Sequence, residues 1–368
     1  MVDEITNNFG LFQNSYFSLK KMNVYFSENA YKSLNQLLQT KNYSTIFLLT
    51  DNNVNSHCLS IFLSEINTQT PIEIIEIEAG EEQKNMTTCV EIWNILLELQ
   101  ADRKSLLIGL GGGVITDITG FVASVFKRGI DFINVPTSLL AMVDASIGGK
   151  NGVDLGTLKN QIGTITEPKI VLVDFRFLNT LPSREIRSGY AEMLKHGLIQ
   201  DKEYWKKLSD FKTIDFSELD TLIICSIAIK TKITKQDPIE KTIRKSLNFG
   251  HTLGHAIESY CLENSEKPKL LHGEAIAIGM ILASFLSYQK NLIHEKDYFE
   301  IKNVLKSIYP LVEFDTQDIE KIIELLSFDK KNQRKKTFFV LLNGIGNFKL
   351  DQIIEKKLIF EAFEDYKS

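Results

Sequence analysis

At 368 residues, 43% hydrophobic and 24% charged, the chain holds enough apolar content for a large core, which excludes global disorder, and enough length for two domains. A formal net charge of −5 argues against a nucleic-acid-binding face. Four scattered cysteines (Cys58, Cys89, Cys225, Cys261) without a C-x-x-C, and the acidic, polar start MVDEITNNFG, point to reduced thiols in a cytoplasmic protein, and the longest nearly apolar run, Ala275 to Leu286, reads as a buried helix too short to span a bilayer.

In chain order, YSTIFLLTD (Tyr43 to Asp51) is an apolar run closed by Asp and Asn, as in a parallel strand meeting its loop. PIEIIEIEAG (Pro71 to Gly80) is a second strand. TTCVEIWNILLELQ (Thr87 to Gln100) has helical periodicity, and SLLIGLGGG (Ser105 to Gly113) is a strand running into glycines. DFINVPTS and KIVLVD (Lys169 to Asp174) add two more strands. Alternating strands and helices predict a Rossmann-like α/β domain with a doubly wound parallel sheet, whose ligands sit beyond the carboxyl ends of the strands.

After Leu181 the strand signal nearly stops. REIRSGYAEMLKHGLI, ELDTLIICSIAIKTKITK, GHTLGHAIESYCL and GEAIAIGMILASFLSYQ all have helical period. The expected division is therefore an α/β domain over residues 1–181 and an all-α domain over 182–368, with Pro182 opening the first new element. One exception is expected near the end, where TFFVLLNGIGNFKL suggests a small hairpin around Asn343-Gly344. The basic run KKNQRKK (Lys330 to Lys336) reads as a solvated loop.

Three phrases carry chemistry. GLGGGVITDITGFVASVF joins a strand to a helix through Gly109, Gly111, Gly112 and Gly113, letting backbone N–H groups approach a pyrophosphate at a helix N-terminus. The spacing is not a strict G-x-G-x-x-G, because Val114 and Thr116 occupy the third-glycine positions of the two registers. Asp117, expected in the first turn of that helix, could accept from a ribose or favour the helix dipole. Glu81 and Lys84, in EAGEEQKN, suit ribose binding or a helix start. VPTSLLAMVDASIGGKNGVD, with Lys150 after paired glycines and Lys159-Asn160 beyond, suits an anion, as do Arg128, Lys230 and Arg244. Lastly, three of the six histidines fall within 22 residues: His251 and His255 in NFGHTLGHAIE, and His272 in LHGEAIAIGM. The i, i+4 pair puts two imidazoles on one helix face, and a third donor would complete a zinc-type site. Glu192, in GYAEMLKHG, is a carboxylate on a helix.

Taken together, GGGVITDITGFVAS, VPTSLLAMVDASIGGKNG, LKNQIG, LNTLP, GYAEMLKHGLI, NFGHTLGHAIE and LHGEAIAIGM make the chain resemble the 3-dehydroquinate synthases, over roughly Tyr43 to Leu342. The resemblance implies an NAD-binding α/β domain, a helical domain, a homodimer, and one zinc or cobalt ion. It implies metal ligands Glu192, His251 and His272, with His255 facing substrate, so that the two histidines of the helical pair would divide between two roles. Substrate would meet Asp144, Lys150, Lys159, Asn160, Lys195, Lys230, Glu240, Arg244, Asn248 and His255. Arg128 would reach the phosphate site of a neighbouring subunit, and Lys330 or Lys331 would arrive late in the chain. NAD would meet Asp51, Glu81, Lys84, Gly112, Gly113, Asp117, Thr137 and Ser138, with Leu178 and Thr180 nearby. The implied reaction converts the sugar-acid phosphate 3-deoxy-D-arabino-heptulosonate 7-phosphate to 3-dehydroquinate and phosphate. It does so by transient oxidation, elimination, reduction, ring opening and aldol closure. The rival readings are cyclases giving inosose or valiolone products and an NAD- and metal-dependent polyol dehydrogenase. Three segments depart from the family pattern: GGKNGVD, where GGKTGIN is usual, DPIE (Asp237 to Glu240), where DERE is usual, and the linker SYCLENSEKPKL between the histidine phrases, which is longer than usual.

Overall fold

The computed structural model describes residues 23–156, 158–210, 216–326 and 337–368. It resolves into two compact units. The first runs up to Pro182 and also takes in Ile223–Thr231; the second comprises Ser183–Leu222 and the chain from Lys232 onward.

The first unit is built on a six-stranded parallel sheet of order β1 (Val24–Phe26), β8 (Val171–Val173), β5 (Asp131–Pro136), β4 (Leu106–Gly111), β2 (Ile46–Asp51), β3 (Ile72–Ile77). The five strands expected from the sequence are β2, β3, β4, β5 and β8. β4 is buried at every position and β2 at all but its last, because helices cover both faces, and this is why they read as continuous apolar runs. β3, at the sheet edge, buries only Ile75 and carries Glu73 and Glu76 among its isoleucines. On one face Phe47, Leu49, Leu107 and Phe132 pack with Ile92 and Leu96 of helix α2 (Met86–Glu98) and with Ile115, Ile118 and Val122 of helix α3 (Gly113–Val125). Helix α1 (Ser27–Thr40) follows the edge strand β1 (Val24–Phe26), whose three residues are too few to show a period.

A second, antiparallel pair of strands, β6 (Lys150–Leu155) and β7 (Leu158–Ile165), was not expected. Its sequence, KNGVDL and LKNQIGTI, is polar and glycine-containing and lacks clean alternation, although Val153 and Ile162 pack into the core beside Ile115, Ile118 and Val122 of α3.

The order of the main sheet locates a binding crevice. From β2 the chain moves outward to β3; it then returns to β4, on the other side of β2, and continues away through β5 and β8. The connections after β2 and β4 therefore diverge, and the crevice between them is the switch point where ligands bind in such folds.

The second unit is mainly helical: α4 (Ser183–Gln200), α5 (Lys202–Leu208), α6 (Phe216–Gln236), α7 (His251–Glu263), α8 (His272–Gln289), α9 (Glu295–Ile308), α10 (Thr316–Leu325) and α11 (Lys356–Lys367). It is not all-α. Strands β9 (Phe338–Leu342) and β10 (Phe348–Ile353) form the hairpin expected around Asn343-Gly344, with Leu342 opposite Phe348. α8 is its axis. Residues Gly273 to Ser287 are buried throughout, and α4, α7, α9 and α11 pack around it. The middle turns of α6, Ile223–Thr231, group with the first unit, a division no composition change marks. Lys230 ties them there, its Nζ donating to Asp144 O and Oδ1 at 2.6 and 2.5 Å. No helix among the described residues is long and apolar enough to cross a membrane.

Candidate metal centre and cofactor site

In the first unit, the residues expected to meet NAD follow the carboxyl ends of β2, β3, β4, β5 and β8. Asp51 ends β2 and accepts from Val54 N at 2.9 Å, with burial raising its carboxyl pKa. Gly111 ends β4, and Thr137 N donates to its carbonyl at 3.0 Å. α3 then starts at Gly113, with Gly112 as N-cap and no capping side chain, so its first backbone N–H groups meet no side-chain acceptor. The glycines divide by role. A Cβ at Gly109 would lie 2.3 Å from Thr119 Oγ1, and one at Gly111 2.5 Å from Ile115 Cβ, so these two allow the helix to press on the strand. At Gly112 and Gly113 a Cβ would meet only ordinary contacts, 3.4 Å from Ser138 Oγ and Ala145 Cβ. These two residues leave a bare helix terminus, which suits a pyrophosphate.

Asp117 is not in the first turn of α3, where no acidic residue stands. It lies one turn further in, half-buried, with Oδ2 2.6 Å from the buried Lys84 Nζ, so it forms an ion pair and does not serve the helix dipole. Burial opposes the charge on Lys84, yet Asp117, Glu81 and Asp154 outweigh that penalty and hold its ammonium above the usual range. Glu81 pairs with Lys159 at 2.7 Å, so Lys159 contacts the expected cofactor group, while Asn160 N donates to Asp154 Oδ1 at 2.6 Å. Ser138 Oγ accepts from Ala141 N at 3.3 Å. Leu178 and Thr180 lie in the turn Phe175–Thr180 after β8, Leu178 buried and Thr180 exposed. Lys150 and Arg128 are exposed. Arg128 sits in a tight turn with φ 69°, between Lys127 at 49° and Gly129 at 109°.

In the second unit the metal-type residues converge. Glu192 is fully buried on α4. Its Oε2 pairs with the buried Lys195, one turn on. Its Oε1 is buried with no hydrogen-bond partner and faces two imidazoles: His251 Nε2 at 3.5 Å and His272 Nε2 at 3.7 Å. Ligand atoms bonded to zinc at about 2.0–2.2 Å in a tetrahedral array stand about 3.3–3.6 Å apart. The His251 separation falls within that range and the His272 separation just beyond it, and an orphaned buried carboxylate oxygen is the group a metal ion would satisfy. His255 adds a third ring, with its centroid 5.0 Å from that of His251; nitrogens of His251, His255 and His272 lie within 4.8 Å of one another. The pair His251/His255 thus shares a face as expected, while Glu192 Oε1 points at His251 and His272. Burial works against an imidazolium at His272, but Glu258 and Glu192 outweigh it and carry its pKa up to about 10. Two carboxylates facing one ring make a seat for positive charge, whether proton or divalent ion.

Small residues set these distances. Gly273, next to His272 at the start of α8, lies so close to α4 that a Cβ would fall 1.9 Å from Ser188 O, and its N–H donates to Ser188 Oγ at 3.0 Å. Ser188 is one turn before Glu192, so this contact sets the gap between Glu192 and His272. On the other side a Cβ at Gly279 would lie 2.0 Å from Gly250 O, which draws α8 against the start of α7 and hence His272 towards His251. The glycines inside the two histidine phrases are helix-packing residues. Gly273→Ala should push α8 off α4, cost about 1–3 kcal/mol of stability, and reduce bound zinc. Thermal unfolding and metal content would both be read, and an unchanged midpoint with full zinc would count against this account.

The loop before α7 carries the other expected substrate residues. Asp237 accepts from the backbone N–H groups of Lys241, Thr242 and Arg244 at 2.9, 2.6 and 3.1 Å, so the altered sequence DPIE still forms an ordered turn. Within it Arg244 donates to Pro238 O at 2.6 Å, and Asn248 Nδ2 donates to Glu240 Oε1, also at 2.6 Å. Lys330 and Lys331 lie outside the described residues. One polar partner had not been singled out from the sequence: Glu258, whose Oε2 lies 3.1 Å from His272 Nδ1. It stands seven residues after His251 on α7, and i, i+4, i+7 spacing along NFGHTLGHAIE was the available signal.

Known proteins resemble this chain in both sequence and fold. The sequence profile of the 3-dehydroquinate synthase N-terminal domain matches residues 74–188, and that of the C-terminal domain matches 189–332. The 3-dehydroquinate synthase of Parabacteroides distasonis is 37% identical over 351 residues, covering 95% of this chain and 99% of that one. That of Clostridium botulinum is 42% identical over 304 residues, covering 82% and 86%. Among solved structures, a 2-deoxy-scyllo-inosose synthase complexed with carbaglucose-6-phosphate, NAD+ and Co2+ superposes with a TM-score of 0.81 at 27% identity, covering 93% of this chain and 96% of that one. A 2-epi-5-epi-valiolone synthase from Streptomyces hygroscopicus with NAD+ and Zn2+ bound gives 0.81 at 26%, covering 94% and 96%. The two domain profiles meet between Ser188 and Gly189, beside the contact that seats Glu192 opposite His272, and with full-length relatives on both sides of that junction the chain belongs to the 3-dehydroquinate synthase family.

Proposed function

We propose that this chain converts 3-deoxy-D-arabino-heptulosonate 7-phosphate to 3-dehydroquinate and phosphate, as a cytoplasmic homodimer using NAD and one zinc or cobalt ion. The observation that carries the reading is the orphaned Glu192 Oε1 aimed at His251 Nε2 and His272 Nε2, in a chain whose curated relatives carry that enzyme's name over nearly its whole length. Glu192, His251 and His272 hold the ion, and the helix terminus at Gly112-Gly113 with Asp51, Glu81, Lys84, Asp117, Thr137 and Ser138 holds NAD. Bound there, the two groups supply polarisation of a hydroxyl and reversible acceptance of a hydride.

The chain's own residues do the rest. Lys195 neutralises one Glu192 oxygen and leaves the other for the metal. Lys230 and Arg244 pair with the substrate carboxylate, each with its direction set by the protein: Lys230 by Asp144, Arg244 by Pro238 O and the turn that Asp237 caps. Lys150, Asn160, Asn248 and His255 surround the phosphate, and Glu240 orients the Asn248 amide. The four free cysteines fit a reducing compartment. Inosose- and valiolone-forming cyclases act on substrates without a carboxylate, so retention of Lys230 and Arg244 favours the dehydroquinate reading.

The test is phosphate release from the heptulosonate phosphate with absorbance of reduced NAD followed in parallel. Phosphate should appear over many turnovers on a catalytic amount of NAD, with no net reduction of the cofactor. One reduced NAD per product would replace this reading with a polyol dehydrogenase, and preference for a heptulose phosphate lacking the carboxylate would replace it with one of the other cyclases.

A further inference from the structure

The faces of α7 and α8 that carry the histidines also carry what aims them. His272 Nδ1 lies 3.1 Å from Glu258 Oε2, and the Glu258 side chain is 11% exposed. A carboxylate only accepts, so the proton of that hydrogen bond belongs to Nδ1, and Nε2 is the nitrogen that can give up its proton to a metal. His251 Nδ1 lies 3.1 Å from Phe249 O, a neutral acceptor, which imposes the same tautomer. Both Nε2 atoms are thereby turned towards the one Glu192 oxygen that has no hydrogen bond. His251, His255 and Glu258 fall at i, i+4 and i+7, so one face of α7 supplies a ligand, a substrate-facing ring and the partner of a ligand on the next helix.

We propose that Glu258 is the positioning residue of the metal centre, locking His272 with Nε2 towards the ion and making that imidazole a stronger donor. This rests on Glu192, His251 and His272 being the ligands. Outer partners of metal-bound histidines change metal affinity without touching the metal.

The experiment compares the unaltered protein with Glu258→Gln, Glu258→Ala and His272→Ala. Each is purified without metal, checked by thermal unfolding in chelator, and titrated with zinc against a competing chelator and with cobalt by visible absorption. Glu258→Ala should bind zinc about 10- to 100-fold more weakly with an unchanged unfolding midpoint in chelator. Its cobalt spectrum should shift in position and intensity. Glu258→Gln keeps a hydrogen-bond acceptor without the charge, so it should recover part of the affinity. His272→Ala separates the two layers of the argument. If it binds zinc poorly while both Glu258 variants bind within twofold of the unaltered protein and give its cobalt spectrum, the role of Glu258 is overturned and the ligand set stands. If His272→Ala also binds normally, the ligand set itself has failed. A loss of affinity in Glu258→Ala matched by a lower midpoint in chelator would make Glu258 a fold residue and overturn the proposal as well.

Discussion

His272→Ala should lose its zinc and nearly all of its turnover. His272 Nε2 and His251 Nε2 stand 3.7 and 3.5 Å from a Glu192 oxygen that nothing else satisfies, so the three form a seat with two protein nitrogens and one carboxylate. Removing one nitrogen leaves two protein ligands, too few for a tightly held catalytic ion. The polarisation a metal contributes is worth several kcal/mol, which at about 1.4 kcal/mol per decade is a loss on the order of 10³-fold in kcat/KM. Chelation of the unaltered protein should produce the same loss, and zinc or cobalt should reverse it. Metal content and phosphate release are the measurements. Wild-type zinc content in the variant, or full turnover after exhaustive chelation, would remove Glu192, His251 and His272 as the ligand set.

A mixed dimer of Arg128→Ala and His251→Ala subunits should recover activity that neither homodimer has. Arg128 is exposed and lies in a turn where two consecutive non-glycine residues take positive φ, 49° at Lys127 and 69° at Arg128, followed by Gly129 at 109°. Left-handed conformations cost such residues energy, and they persist where the surrounding structure enforces them. Under the proposed homodimer this turn presents Arg128 to the partner's phosphate site. In a two-fold dimer the mixed species then holds one site with both groups intact and one with neither, so about half the activity of the unaltered dimer should return. Subunits carrying two different tags would be co-expressed and the doubly tagged species isolated, with zinc and NAD contents confirming that it is folded. If Arg128 serves its own subunit, each site of the mixed dimer still lacks one group and no activity returns.

Much of the architecture was legible before any coordinates. Strands β2, β4 and β5 announced themselves because a parallel strand covered on both faces must be apolar along its length. The long helices of the second unit announced themselves by period, and the hairpin at Asn343-Gly344 by its turn residues. The β6–β7 pair did not, because its core-facing Val153 and Ile162 stand in a polar, glycine-containing ribbon whose apolar residues do not alternate cleanly. The middle of α6 looked like any other stretch of the helical half, and its membership in the first unit rests on spatial pairing such as Lys230 with Asp144.

The candidate site divides in the same way. Sequence alone determined which residue types were present: the histidine phrases, the glutamate of GYAEMLKHG, the glycines after β4 and the scattered cations. Motif identity also carried the family. What only the tertiary structure decided is which atoms meet. Helical spacing put His251 and His255 on one face, but spacing within one helix is blind to what lies across from it. The contacts of Gly273 with Ser188 and of Gly279 with Gly250 bring α4, α7 and α8 close enough for Glu192 Oε1 to face His251 and His272. The pairing of Asp117 with the buried Lys84, in place of the dipole alternative, has a similar reason: its position on α3 is local, whereas its partner arrives from a turn thirty-three residues earlier. Backbone periodicity is a short-range property that a single segment displays, whereas the distance between two side chains on different elements depends on how closely those elements pack, and here glycines far apart in the chain set it.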